Sequence, residues 1–338
     1  MPLWHESAIQ VFNRLKGNPM LNRQLILCLA AATVISGCGG GSNESPLTRG
    51  GPHTWQLVAG ASSQQEALQS LKFYQNALTI DAGDTVTWAF PTGEPHTVTF
   101  LGPRPAPPPP TDPTARLPAG GSSYDGTAYT SSGFVLLGKT YSLRFPTPGT
   151  YKYHCLLHGP SGMTGTIVVQ NAGAPYPTAQ SALNDAAQVK IQSDLAQALG
   201  AVGQFPYITD GPHVAAGLAP GLNTGMPSPL TVLRFLSGGD LTKTTVTVAV
   251  GSTIQWTNLS NNAPHTVTFG PVGQPFPTLN PFSPPSGGNT YDGSAMVNSG
   301  VLFPGKSFSL TFTKAGTYTY HCIFHDDTEN MIGTVVVQ

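Results

Sequence analysis

The sequence predicts an all-β protein, two β-sandwich domains joined by a segment that contains one α-helix. Three observations carry this. Apolar and polar residues alternate over short runs through the body of the chain, which is the period of a half-buried strand. The 338 residues include 39 glycines and 32 prolines but only 15 Lys+Arg and 16 Asp+Glu. That balance suits short strands with tight turns and argues against charged helical bundles and coiled coils. Finally, the chain repeats itself. A net charge of -1 leaves no basic footprint for nucleic acid, and 39% apolar residues exclude disorder driven by charge.

The N-terminal region is read as an export segment. Residues 24–37 (QLILCLAAATVISG) are almost all apolar and follow Arg14, Lys16 and Arg23. The run is too short for the ~20 residues of a spanning helix and has the form of a signal peptide. Ile35-Ser36-Gly37-Cys38 resembles the lipobox of bacterial lipoproteins. That resemblance implies a signal peptide over 1–38, lipidation at Cys38, loss of Cys28 with the signal, and anchoring by acyl chains. Residues 39–51, rich in Gly and Ser, read as a flexible tether.

The first domain is expected over 52–171. A short helix is expected at Gln64–Leu71. Thr85-Val86-Thr87-Trp88 follows the turn signal Asp81-Ala82-Gly83-Asp84 and reads as a strand with Trp88 in the core. Residues 101–119 form a Pro-rich loop. Tyr141, Leu143 and Phe145 mark a later strand, and 166–170 the last. The connecting segment, 172–229, carries a helix over 178–202 with Leu183, Ala187, Ile191, Leu195 and Leu199 as its apolar face, then Gly/Pro-rich chain. The second domain, 230–338, starts with a strand near Thr231–Leu236. It repeats the pattern at Thr253-Ile254-Gln255-Trp256, in the Pro-rich loop 270–286, at Phe308, Leu310 and Phe312, and in a final strand over 333–338.

The repeat is direct. Residues 120–155 align without a gap on 287–322, with more than half of the positions identical; Pro95–Phe100 recurs as Pro264–Phe269 and Gly165–Gln170 as Gly333–Gln338. Each copy carries one upstream histidine and a late Cys/His/Met cluster: His96, Cys155, His158 and Met163, then His265, Cys322, His325 and Met331. Taken alone, a buried Cys or Met is ordinary core. All four recur in the same order in both copies. Two imidazoles, a thiolate and a thioether suit copper cycling between two oxidation states. Zinc prefers four comparable ligands, and iron–sulfur clusters need more cysteines than either copy has. Cys155 and Cys322 each precede their own His and Met, so they read as ligands and not as a disulfide pair.

The motif G-T-Y-x-Y-H-C-x-x-H, followed by Met and G-T-[IV]-V-V, resembles the cupredoxin family of blue (type 1) copper proteins, and plastocyanin-like domains in particular. The resemblance covers roughly 72–170 and 240–338. It implies Greek-key sandwiches and two type 1 copper ions per chain, one on His96/Cys155/His158/Met163 and one on His265/Cys322/His325/Met331. It also implies one-electron transfer through solvent-edge imidazoles, here His158 and His325. Redox proteins such as cytochromes or a membrane oxidase or reductase would be the partners, at an extracytoplasmic location. Copy two has one extra residue before Met331, which leaves its axial bond open. Asp326, Asp327 and Glu329 flank His325, whereas Leu156, Leu157, Gly159 and Pro160 flank His158, so the second site is expected to have the lower reduction potential.

Two alternatives stay open: copper storage or delivery, and a two-domain multicopper enzyme resembling nitrite reductase. His154 and His321, just before each cysteine, favour the latter. The further histidine such an enzyme needs after the first ligand is missing from Thr97–Leu101 and Thr266–Gly270, which favours an electron carrier.

Overall fold

A computed structural model describes residues 51–109, 112–204, 212–219, 229–237, 241–260 and 263–338. The expected signal peptide, Cys38 and all but the last residue of the tether lie outside the described residues. In the first copy the strands are β1 (Thr54–Ser63), β2 (Leu68–Tyr74), β3 (Ala77–Asp81), β4 (Thr85–Ala89), β5 (Thr99–Phe100), β6 (Thr130–Ser131), β7 (Thr140–Arg144), β8 (Gly149–His154) and β9 (Thr164–Gln170). Helix α1 (Gln180–Gln204) follows. The second copy contributes β10 (His213–Leu218), β11 (Leu230–Leu236), β12 (Thr245–Val248), β13 (Thr253–Leu259), β14 (Thr268–Phe269), β15 (Thr290–Tyr291), β16 (Val297–Asn298), β17 (Ser307–Phe312), β18 (Gly316–His321) and β19 (Ile332–Val337).

Each copy is a sandwich. In the first, the sheet β3-β9-β8-β5-β6 covers β2-β1-β4-β7; in the second, β12-β19-β18-β14-β16 covers β11-β10-β13-β17-β15. The inward residues are those that the alternation marks: Val86, Trp88, Leu143, Phe145 and Ile167 in one core, and Ile254, Trp256, Leu310, Phe312 and Val335 in the other. Among the described residues, the all-β architecture with one α-helix agrees with the sequence reading.

The two sandwiches are not beads on a string. Strands β2 and β11 pair antiparallel, with Leu230 opposite Ser70, Thr231 opposite Gln69 and Val232 opposite Leu68, and this fuses the inner sheets into one of nine strands. Phe73 and Phe235 occupy equivalent places, each against the tyrosine of its own copy (Tyr153 at 4.7 Å, Tyr320 at 4.6 Å between ring centroids). By that alignment Gln69 and Thr231 are themselves equivalent, so a local two-fold axis passes through their pairing. Helix α1 lies over this seam, against β1, β2 and β11. Ala187, Ile191, Leu195, Ala198 and Val202 pack with Ala61, Leu68, Tyr74, Leu218, Leu230 and Val232. Buried Asp194 fixes the helix by accepting from Lys72 (2.9 Å), Lys190 (2.6 Å) and the Tyr74 hydroxyl (3.1 Å).

Three expectations need correction. Leu199 is 44% exposed, while Ala198 and Val202 are buried. A row of i+4 steps overshoots each helical turn by about 40°, so the row that starts at Leu183 leaves the buried face by Leu199. The helix expected at Gln64–Leu71 is instead a tight turn with positive φ at Gln64, Gln65 and Glu66, leading into β2. β2 is covered on one face by the sandwich core and on the other by α1, and a strand buried on both faces loses its alternation. For the same reason β10 was read as connecting chain. It pairs parallel with β13 as β1 does with β4, which places the first strand of the second copy upstream of residue 230.

Ile191→Ala should destabilise the protein by about 2–5 kcal/mol, the range for emptying a buried aliphatic site. Leu199→Ala should change stability little. Urea unfolding of the two variants, side by side, checks the assignment of the buried face.

Candidate metal centres

The upstream histidines lead into β5 and β14 and are held by the backbone. His96 exchanges hydrogen bonds with Val135, and His265 with Leu302. Each cysteine directly follows a late strand, β8 or β18, and the turn behind it folds back onto it. The Met163 carbonyl accepts from the Cys155 N–H (3.0 Å) and the His158 carbonyl accepts from the Met163 N–H (3.1 Å). The second copy has the same frame, Cys322 N–H to Met331 O (3.1 Å) and Met331 N–H to His325 O (2.9 Å). The extra residue there is taken up before the frame closes. Gly162 (φ 93°) and Asn330 (φ 53°) supply the left-handed residue ahead of each methionine, a conformation that Gly and Asn tolerate best.

The donors converge. Cys155 Sγ lies 3.6 Å from His158 Nδ1 and 4.0 Å from His96 Nδ1, with the two Nδ1 atoms 3.1 Å apart. Cys322 Sγ lies 3.4 Å from His325 Nδ1 and 3.6 Å from His265 Nδ1. These two triads are the groups of three or more His, Cys, Asp or Glu found close enough together to hold a metal among the described residues. Met163 and Met331 lie in the same cores as their cysteines. None of the eight residues is more than 3% exposed, and both cysteines are free thiols. Buried imidazole and thiol donors at such spacing fit a copper ion.

Several supporting residues were not singled out from the sequence. The N–H groups of Thr97 and Thr266 each donate to their cysteine sulfur at 3.4 Å. Their hydroxyls accept from the N–H of Leu156 and Ile323 at 2.8 Å. Gly60 and Gly217 sit at bulges of β1 and β10 with positive φ (81° and 72°). A Cβ at these positions would come within 2.6 Å of His96 Nε2 and 2.2 Å of His265 Nε2. Each glycine lets a strand close over the back of an imidazole. The signal was available in the aligned runs Val58-Ala59-Gly60-Ala61 and Ala215-Ala216-Gly217-Leu218.

The largest departure from expectation is the place of His158 and His325. The resemblance implied solvent-edge rings, but they are 2% and 3% exposed. The two-fold relation at β2 and β11 turns the two sites toward each other, and one carboxylate lies between them. Glu94 Oε1 is 3.1 Å from His158 Nε2, and Glu94 Oε2 is 3.2 Å from His325 Nε2. The equivalent residue of the second copy, two before its first histidine, is Ala263.

Burial alone would raise the Glu94 pKa, but the hydrogen bonds from His158 and His325 outweigh it and hold the carboxyl well below its usual range. Burial likewise opposes the Cys155 thiolate, yet His158 and then His96 bring its pKa well down. Burial opposes charge on His158 too, and Cys155 followed by Glu94 pushes its pKa up to about 10. His265 is held low by burial and by His325. The acidic rim read beside His325 is largely engaged. Asp326 pairs with His321 Nδ1 at 3.1 Å, and Phe276 stacks on that ring at 3.8 Å. Glu329 is buried, its pKa raised to about 7 mainly by desolvation. Its side chain accepts from Thr328, and its carbonyl accepts from Arg234.

Comparison with known proteins agrees with this geometry. Plastocyanin of Scenedesmus fuscus is 34% identical over 102 residues, which cover 30% of this chain and 89% of that protein. Plastocyanin of Prochlorothrix hollandica is 35% identical over 95 residues, 28% of this chain and 60% of its own length. That of Vicia faba is 28% identical over 99 residues, 29% of this chain and 88% of its own. The family described as copper binding proteins, plastocyanin/azurin family, matches twice, at residues 60–170 and 239–338. Each match contains one complete triad with its methionine, and the chain belongs to the plastocyanin/azurin family of copper binding proteins.

Proposed function

We propose that the protein is an electron carrier and not an enzyme, with one type 1 copper site in each domain. His96, Cys155, His158 and Met163 would hold one ion, and His265, Cys322, His325 and Met331 the other. The observation that supports this most strongly is the pair of buried imidazole–imidazole–thiol triads, each closed by the same backbone frame to a methionine. Bound copper would supply a one-electron couple. The chain supplies a preset, dry cage. Backbone bonds fix the ligand loop, the Thr97 and Thr266 N–H groups stabilise negative charge on sulfur, and Gly60 and Gly217 allow the cage to close behind the first histidine. Donors held in place before the reaction need little reorganisation when charge changes.

Full burial of both triads favours retention of the ion over storage and delivery. His321, which would serve a nitrite-reductase-like site, is engaged by Asp326 and Phe276 instead. The electron partners would be extracytoplasmic redox proteins such as cytochromes or a membrane oxidase or reductase. Lipidated Cys38 would hold the protein at the membrane.

Copper-loaded protein should contain two ions per chain by elemental analysis and show the intense visible absorption of a copper–thiolate bond. Three or more ions would favour catalysis, and none would refute the carrier. Cys155→Ser or Cys322→Ser should each remove half of that absorption and one ion. Gly217→Ala should lower copper affinity at the second site with little effect on the first, read by competitive titration with a chelator. Cys38→Ser should move the protein from the membrane fraction to the soluble fraction in a bacterial host that lipidates it.

A further inference from the structure

We infer that Glu94 is a bridge that couples the two metal sites and carries single electrons between them. The inference rests on the electron-carrier reading above and adds an internal step to it. One carboxylate joins two imidazoles, each of which has its other nitrogen at a triad. With each Nδ1 given to a metal beside its cysteine, the remaining ring proton would sit on Nε2, from which both rings donate to the Glu94 carboxylate. Outer hydrogen-bond partners of this kind fix the tautomer and orientation of a ligand histidine. Here a single residue does so for both sites.

The burial of Glu94 supports a dual role. A carboxylate that is 6% exposed is costly unless its oxygens are satisfied. A residue that served only His158 would leave one oxygen without a partner, whereas each oxygen takes one ring. The repeat is kept from Pro95–Phe100 to Pro264–Phe269 and lapses just upstream, where Glu94 stands against Ala263. The two-fold relation explains the difference. A single carboxylate suffices for two imidazoles, and each further buried carboxylate near it is disfavoured as a charge, as the raised pKa of Glu329 shows. Ala263, itself 1% exposed, adds no second carboxylate.

The link is continuous from one triad to the other: imidazole, hydrogen bond, carboxylate, hydrogen bond, imidazole. Copper held by His96, Cys155, His158 and Met163 at one end and by His265, Cys322, His325 and Met331 at the other would supply the one-electron couples, and Glu94 with its two imidazole partners would be the path between them. One electron moves. No bond forms or breaks: both Nε2–H groups keep their protons, and Glu94 stays a carboxylate that accepts from both. Electrons enter and leave through the external redox partners already proposed. Since a metal that fixes one ring also positions Glu94 for the other, the sites should bind metal as a coupled pair, and the coupling is reciprocal.

Two readouts test this. The first needs no electron transfer: calorimetric titration of the metal-free protein with silver(I), a redox-inert stand-in for copper(I). In wild type, filling one site should change the silver affinity of the other, measured against Cys155→Ser and Cys322→Ser, which each keep one site; Glu94→Ala, which installs the second-copy residue, should abolish that difference. Loss of the bridge should weaken binding by about 10- to 100-fold, as for other outer partners of metal ligands. Glu94→Gln keeps the volume but turns an amide N–H toward one ring, and should uncouple the sites in the same way. Asp185→Asn, at an exposed position of α1, should behave as wild type.

The second readout is the rate of electron redistribution in the half-reduced, copper-loaded protein after a reducing pulse. Both Glu94 variants should slow it while each site keeps its colour. Unchanged redistribution and unchanged silver coupling in the variants overturn the bridge. If wild type takes up no copper colour, the carrier reading fails, while the silver titration still decides whether Glu94 couples the sites. Should neither variant fold, nitrogen NMR of silver-loaded wild type decides: two slowly exchanging Nε2–H signals support the bridge, and their absence refutes it.

Discussion

The antiparallel pairing of β2 with β11 is the constraint on which the rest depends. A duplicated domain joined by a long connection could place its copies anywhere. Once the edge strand of one inner sheet pairs with the equivalent strand of the other, the relation is set by hydrogen-bond register. Gln69 opposite Thr231 makes that relation a local two-fold, so the two metal-site ends are turned toward each other. Both edges that would otherwise be open are consumed in the same contact. Helix α1 then covers the seam, and its buried face consists of the residues that touch β2 and β11 together.

The metal-site cages follow from a division of labour along the chain. The sandwich core holds the ends of β8 and β18, the backbone closes the ligand loop onto its own cysteine, and the glycine bulges of β1 and β10 press the strand against the first histidine. The loops differ in length by one residue and in sequence almost throughout, yet both make the same two backbone hydrogen bonds to methionine. A frame built from main-chain groups tolerates such changes because it reads conformation and not side chains. Only the left-handed residue before each methionine is chemically restricted, to Gly162 in one copy and Asn330 in the other.

A chain with 9% charged residues carries an unusual share of them out of water. Asp81, Asp84, Glu94, Asp194, Arg234 and Glu329 are all buried, and four of these six lie at the junction of the two copies or under its helix. Asp81 and Asp84 are the exceptions; Asp84 ties β1 and the segment after β9 together by accepting from Trp55 and Tyr176, and Asp81 accepts from Gln170. Buried ion pairs and hydrogen-bonded charges add less stability than apolar packing of the same volume but discriminate among arrangements. At this junction they single out one docking of two similar domains, and Glu94 does so while touching both metal sites.

Much of this was legible in the sequence. Period-two alternation marked β4, β7, β13 and β17 because one face of each meets the core and the other meets water. The repeated His, Cys, His and Met positions could be found because their order and spacing survive in both copies. The doubly covered strands β2 and β10 were not legible, since burial on both faces erases alternation. The drift of α1 away from Leu199 reflects helix geometry that a row of four-residue steps ignores. Gly60 and Gly217 were present as aligned letters, but their meaning depends on a histidine more than thirty residues away. Thus the sequence by itself determined the two sandwiches, the duplication and the two sets of candidate ligands, all matters of local period and spacing. Only the tertiary structure decided that His158 and His325 face each other and not the solvent, and that Glu94 joins them. That outcome depends on how the two copies meet, and a pairing register between distant strands leaves no periodic trace in the chain.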